Sequence, residues 1–210
     1  MSQPSKPASR RSVADWDALY REGVPPWDAG APRGELVQIL NERAIPLGTV
    51  LEIGCGTGAD AVYLARKGFE VTAVDNSPIA LERAHLRAEM ANAPVRFVLD
   101  DIFGFAAKAG QFDLIYDCGF YHFIRQSDLR RYLDLLWRVT RPGSYCLCLA
   151  GSTGEEAEGG PPQVAEEEIR GELGRLFEFV HLRPFRFESR QHAPGYLGWS
   201  CLMRRPQLGK

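Results

Sequence analysis

Long apolar runs are missing from this 210-residue sequence, and no segment approaches the length that a membrane span requires. A basic excess is missing too: 25 Lys and Arg face 27 Asp and Glu, for a net charge of −2. That balance speaks against a general nucleic-acid binder, which needs surplus cations for phosphates. The five cysteines, Cys55, Cys118, Cys146, Cys148 and Cys201, are odd in number and include no C-x-x-C pair. Neither a disulfide framework nor a zinc site is expected, and a reducing cytoplasm is the expected location. No metal-ligand cluster, internal repeat or second-domain boundary stands out. The opening MSQPSKPASRRS lacks the apolar core of a secretory signal, so residues 1–12 are expected to form a disordered tail.

What is present is ordinary globular composition, 45% hydrophobic and 25% charged. Strand and helix patterns alternate. TVLEIG, FEVTAVD, VRFVLD, FDLIYD and SYCLCLA read as buried strands. Between them, DAVYLARKG reads as a helix ending at Gly68, and Ser77-Pro78 opens another that runs to about Ala91. Leu129, Tyr132, Leu133, Leu136 and Val139 recur at helical spacing before RPG breaks the chain. Ile169, Leu173, Leu176 and Phe177 mark a last helix, opened by the acidic run Glu166 to Glu168. FVHLRPFRFES and GYLGWSCLMRR read as a closing antiparallel pair. Such alternation implies an α/β fold with a mostly parallel sheet covered by helices on both faces.

The stretch from Thr49 to Pro78 carries the first chemical signal. Gly54, Gly56 and Ala59 satisfy G-x-G-x-x-G/A between a strand and a helix. Asp75 ends the next strand, 21 residues after Gly54, where a carboxylate can accept both hydroxyls of an adenosine ribose. A P-loop is excluded, because no Gly-Lys-Ser/Thr follows the turn. Two details argue against NAD: the acidic Glu52 stands where dinucleotide folds keep an apolar side chain, and the glycines run Gly54, Gly56, Gly58.

These residues resemble the class I methyltransferases that use S-adenosylmethionine. LEIGCGTG matches the first motif of that family and VTAVDNSP the second, and the resemblance extends from Trp16 to Arg204. It implies a seven-stranded Rossmann-like sheet whose last strand is antiparallel. It further implies that Glu52 and Gly54 line the methionine side of the cofactor and Asp75 holds the ribose, with Cys55, Gly56, Gly58 and Asn76 also cofactor-binding. Asp101 and Ile102 then lie at the adenine, and Asp117, in FDLIYDCG, lies beneath the methionine end. VPPWDAGAP and GGPPQVAEEEI resemble segments of the thiopurine, thiol and halide methyltransferase group, with tellurite-resistance-type enzymes as relatives. In that group the tryptophan corresponding to Trp27 belongs to a segment covering the cofactor. The implied organisation is a covering segment over residues 13–48 and a methyltransferase core over 49–210. The group's helix arginine falls on Arg130 or Arg131 in LRRY.

Methyl transfer from a positively charged sulfur is an in-line displacement that needs an aligned nucleophile and little water. A thiol ionises near neutral pH and needs no base, whereas a phenol or amine more often wants one. YDCGFYHF supplies the candidates Asp117, Tyr121 and His122 just past the fourth strand, where ligands of open parallel sheets sit. His122 reads either as a base or as a structurally bonded histidine, and Tyr121 and Phe120 as pocket walls. Cys118, Cys146 and Cys148 read as buried filler, Trp199 as core or pocket wall, and Trp27 as lid or core. The expected partner is a small-molecule acceptor, with neither nucleic acid nor membrane, in a monomer or homodimer. Thiol methylation is the leading reading. O- or N-methylation with His122 as base, and cofactor binding without catalysis, are the alternatives.

Overall fold

The computed structural model describes residues 13–42, 45–155, 160–189 and 193–207. The expected tail over residues 1–12 lies outside them. Two helices come first, α1 (Val13–Glu22) and α2 (Gly34–Glu42). The sheet then grows as β1 (Thr49–Ile53), α3 (Ala59–Arg66), β2 (Glu70–Asp75), α4 (Pro78–Met90), β3 (Val95–Leu99), α5 (Ile102–Ala106) and β4 (Phe112–Cys118). The chain continues through α6 (Phe120–Val139), β5 (Thr140–Ser152), β6 (Gln163–Val164), α7 (Glu166–Leu173), β7 (Glu178–Phe187) and β8 (Tyr196–Arg204).

The strand order is β3-β2-β1-β4-β5-β8-β7, and the two-residue β6 pairs with the end of β5. β8 runs antiparallel to both neighbours, so the expected mostly parallel seven-stranded sheet with an antiparallel last strand is what forms. Alternate residues of the central strands supply two cores. Val50, Leu114 and Leu147 pack under α2, α3 and α4, while Leu51, Ile115 and Cys146 pack under α5, α6 and α7. Cys146 and Cys148 share the second core and are fully buried, as their two-residue spacing predicts.

Local chemistry sets the helix starts. Pro78 opens α4, and the Ser77 hydroxyl accepts the Ala80 N–H at 3.1 Å. At α7, Glu168 reaches back to accept the Ala165 N–H at 2.9 Å. Three readings are corrected. The RPG segment does not separate α6 from β5, because the strand begins at Thr140 and Gly143 bridges to Arg205 O at 2.9 Å. α6 begins nine residues before Leu129 and is interrupted at Asp128, which leaves helical geometry and caps the following turn through Arg131 N. The glycine-rich loop after β5 contributes the short β6.

Candidate active site

From β1 the chain winds outward to β2 and β3, then returns to place β4 on the opposite side of β1. Strand order therefore reverses between β1 and β4, which opens a crevice beyond their carboxyl ends. Ile53 of β1 pairs with Asp117 of β4, so the glycine loop and the β4–α6 turn face each other across it.

Gly54, Gly56 and Gly58 have φ of 66°, 53° and 74°, values that β-carbons disfavour. Their surroundings differ. A Cβ on Gly58 would stand 2.9 Å from the Ala84 Cβ and 3.1 Å from the Phe97 ring, so this glycine lets helix and strand close together. Beside Gly54 the nearest atom would be in Phe120, at 3.9 Å, which leaves that side of the loop open. Gly54 and Cys55 both donate to Val74 O, and Cys55 is buried.

Acceptors line the loop. Glu52 is 3% exposed, and its Oε2 has no hydrogen-bond partner. Burial, reinforced by Asp60 and Asp75, drives its pKa well above the usual carboxylate range. Asp75 accepts Gly56 N at 2.8 Å on Oδ2 and Ser77 N at 2.9 Å on Oδ1, and burial raises its pKa as well. Each oxygen keeps a further lone pair. An orphaned buried carboxylate oxygen, an open glycine loop and an acidic strand end suit a cationic ligand that carries an ammonium and a ribose. S-adenosylmethionine is such a ligand. Asn76 is exposed at the end of β2. Asp101 caps α5 through Phe103 N at 3.4 Å and meets Arg131 at 3.5 Å, while Ile102 is buried beside it. Of the two helix arginines, Arg131 is thus the one at this end of the crevice, and it stacks on Phe103 at 4.0 Å.

The three candidate catalytic groups are all engaged. Asp117 is fully buried and accepts Phe120 N at 2.8 Å, Tyr121 N at 3.1 Å and the Tyr132 hydroxyl at 2.7 Å. Burial still pushes its pKa up to about 6. The Tyr121 hydroxyl donates to Glu172 at 2.7 Å, beside the Arg125–Glu172 ion pair that joins α6 to α7. His122 is 4% exposed, and its Nδ1 accepts the Gly151 N–H at 3.0 Å. Burial lowers its pKa to about 3.

Several residues of the site escape a reading of the sequence. Trp27 does not stand alone: Trp16 meets it edge-on at 5.6 Å and meets Phe123 at 5.4 Å, and Trp27 Nε1 donates to the Tyr20 hydroxyl at 3.4 Å. That hydroxyl sits 2.9 Å from where a Gly56 Cβ would be, so α1 closes directly on the glycine loop. The four-residue spacing of Trp16 and Tyr20 on one helix face was the available signal. Three arginines hold the segment down. Arg83 donates to Gly23 O and Tyr20 O, and Arg87 to Gly30 O and Thr57 O. Arg33 donates to Trp27 O and to Glu188 O, and its own N–H bonds Asp60 at 2.7 Å. Asp60 also accepts the Tyr116 hydroxyl at 2.9 Å. Trp199 donates to Val164 O at 2.9 Å, tying β8 to β6.

Comparison with known proteins places residues 50–143 in a family described as a methyltransferase domain. The chain is 28% identical over 176 residues to "Probable thiol methyltransferase 2" of Arabidopsis thaliana, covering 83% of this chain and 78% of that one. It is 28% identical over 165 residues to a 2-heptyl-1-hydroxyquinolin-4(1H)-one methyltransferase of Mycobacteroides abscessus, covering 77% and 72%. A solved structure reported under "Conversion of a Disulfide Bond into a Thioacetal Group during Echinomycin Biosynthesis" superposes with a TM-score of 0.81 at 26% identity, covering 93% of each chain.

Proposed function

We propose that this chain, a class I methyltransferase dependent on S-adenosylmethionine, methylates a small thiol or a similarly soft nucleophile whose ionisation needs no enzyme base. The observation that carries this reading is the state of the three candidate bases. Asp117 is committed to capping α6, the Tyr121 hydroxyl to Glu172, and the basic lone pair of His122 to Gly151. A general base needs a free lone pair within reach of the proton it takes. A thiol that ionises near neutral pH needs none, and its thiolate is intrinsically very nucleophilic.

The cofactor supplies a methyl group on positively charged sulfur. The protein supplies placement. Glu52 and Asp75 would hold the cofactor's cationic and hydroxyl groups, and the arriving positive charge would favour the ionised form that burial resists in Glu52. Trp16, Tyr20, Trp27 and Phe123 would keep water from the attacking atom, which strengthens a thiolate by stripping its hydration. The thiol methyltransferase likeness and the sulfur chemistry named for the superposed structure both support a sulfur acceptor. The hydroxyquinolone methyltransferase likeness favours a second reading, methylation of an acidic hydroxyl.

A pH-rate series with thiols of different acidity, set against phenols matched in size and pKa, decides between the two. With thiols the rate should rise through each acceptor's own pKa, and thiols should outpace phenols. If phenols win, the hydroxyl reading replaces the thiol one. A midpoint that stays constant across acceptors would mean an enzyme base.

A further inference from the structure

Resting on that reading, we propose that His122 binds the acceptor as a fixed hydrogen-bond donor, presenting Nε2–H to the thiolate or other anionic atom that will be methylated. The tautomer follows from geometry. Because Gly151 N–H points at Nδ1 from 3.0 Å, the lone pair must be there and the proton on Nε2. The opposite edge of the ring then faces Gly119, the residue between β4 and α6. A Cβ at that position would stand 3.3 Å from Nε2. Gly119 has φ of 102°, so the turn itself favours the one residue that leaves the space open. Among the described residues no group accepts from Nε2. Phe123 packs edge-on against the ring at 4.7 Å and holds its orientation.

The ring is 4% exposed, and Nε2 is not among the buried polar atoms without a partner, so the donor edge keeps the access a ligand would need. Nε2 lies beside Gly119 in the β4–α6 turn, which borders the crevice between β1 and β4. Burial alone holds the ring neutral, with no charged neighbour contributing, so the donor persists across the working pH range.

The energetics assign it to binding and not to rate. In the transfer step the acceptor's electron pair forms the new bond to carbon. The pair of the breaking carbon–sulfur bond leaves with the demethylated product, so no proton moves. Negative charge on the acceptor therefore shrinks toward the transition state. A donor facing that charge stabilises the bound ground state more than the transition state, which lowers KM and the acceptor's bound pKa without raising kcat.

The test has two parts. Nitrogen–proton correlation spectra of the intact parent protein should show His122 as the Nε2–H tautomer, with no titration between about pH 5 and 8. An Nδ1–H tautomer, or titration in that range, overturns the proposal without any variant. Second, His122→Asn keeps an acceptor for Gly151 N–H but loses the donor's reach, whereas His122→Gln keeps an N–H near the Nε2 position. The Asn variant should raise the thiol KM by about tenfold or more and move the kcat midpoint up toward the thiol's solution pKa. The Gln variant should restore much of both, with cofactor affinity unchanged throughout. An unchanged KM in the Asn variant, or a kcat loss of about a hundredfold, sinks the donor role. The thiol reading fails separately, on the ranking of thiols against phenols.

Discussion

Burial makes opposite demands on two neighbours in the β4–α6 turn. His122 has a folded pKa near 3 against an ordinary 6.5, and Asp117 one near 6 against 3.8. Below pH 6.5 the unfolded chain takes a proton at His122 that the folded chain refuses, so that stability is lost as pH falls toward 3. Asp117 works the other way, since the folded state holds its proton more tightly and stability rises as pH falls from 6 toward 3.8. Each slope is at most about 1.4 kcal/mol per pH unit, so the two nearly cancel where they overlap. His122→Asn removes one of them. The stability advantage of the parent over this variant should therefore shrink by up to about 1.4 kcal/mol per unit below pH 6.5. Urea unfolding of both proteins at a series of pH values measures it, and a constant difference would mean that His122 is not held neutral.

At the level of elements, the segment before β1 is more firmly tied than its lack of strands implies. α1 and the turn after it are gripped by Arg83 and Arg87, four residues apart on α4, and by Arg33 from within the segment. Arg33 matters most, because it joins the Trp27 carbonyl to Glu188 beyond β7 while stacking on Phe187 at 5.6 Å. A hydrogen bond to a charged group contributes roughly 1.5–3 kcal/mol. Arg33→Ala should therefore speed hydrogen exchange around Trp27 and weaken cofactor binding by about tenfold or more. Cofactor should slow that exchange in the parent. Exchange at Trp27 that ignores both the variant and the cofactor would return Trp27 to the core.

For the whole molecule, a ligand that bridges α1, the glycine loop and the β4–α6 turn stabilises the fold by mass action. At a hundred times its Kd, the demethylated cofactor should add about 2.7 kcal/mol. Near 2–4 °C per kcal/mol for a chain of this size, that is a rise in Tm of roughly 5–11 °C. Asp75→Ala, losing a hydrogen bond to a charged group, should bind about ten- to a hundredfold more weakly and show less than about half the rise at the same concentration. NAD should give none. A shift with NAD, or a full shift in the Asp75 variant, would remove the ribose role of this acid.

The sequence alone determined the sheet and the cofactor loop, because both rest on local rules. Short, nearly continuous apolar runs specify strands buried on both faces, and the Ser77-Pro78 helix start is complete within four residues. The left-handed backbone at Gly54, Gly56 and Gly58 and the strand-end placement of Glu52 and Asp75 were legible, because few residue types tolerate such positions. The chemical state of the candidate bases was not legible. Tyr121, His122 and Asp117 all stand as candidates near a strand end, with nothing local to separate base from pocket wall or structural bond. Their availability depends on partners 51, 29 and 15 residues away, Glu172, Gly151 and Tyr132. The arginine anchors of the segment before β1 were likewise invisible, since Arg33 reaches Glu188 across 155 residues. Spacing within a segment says which atoms exist, but only the packed fold decides which of their lone pairs and protons remain free, and the choice between base and donor at His122 turns on that alone.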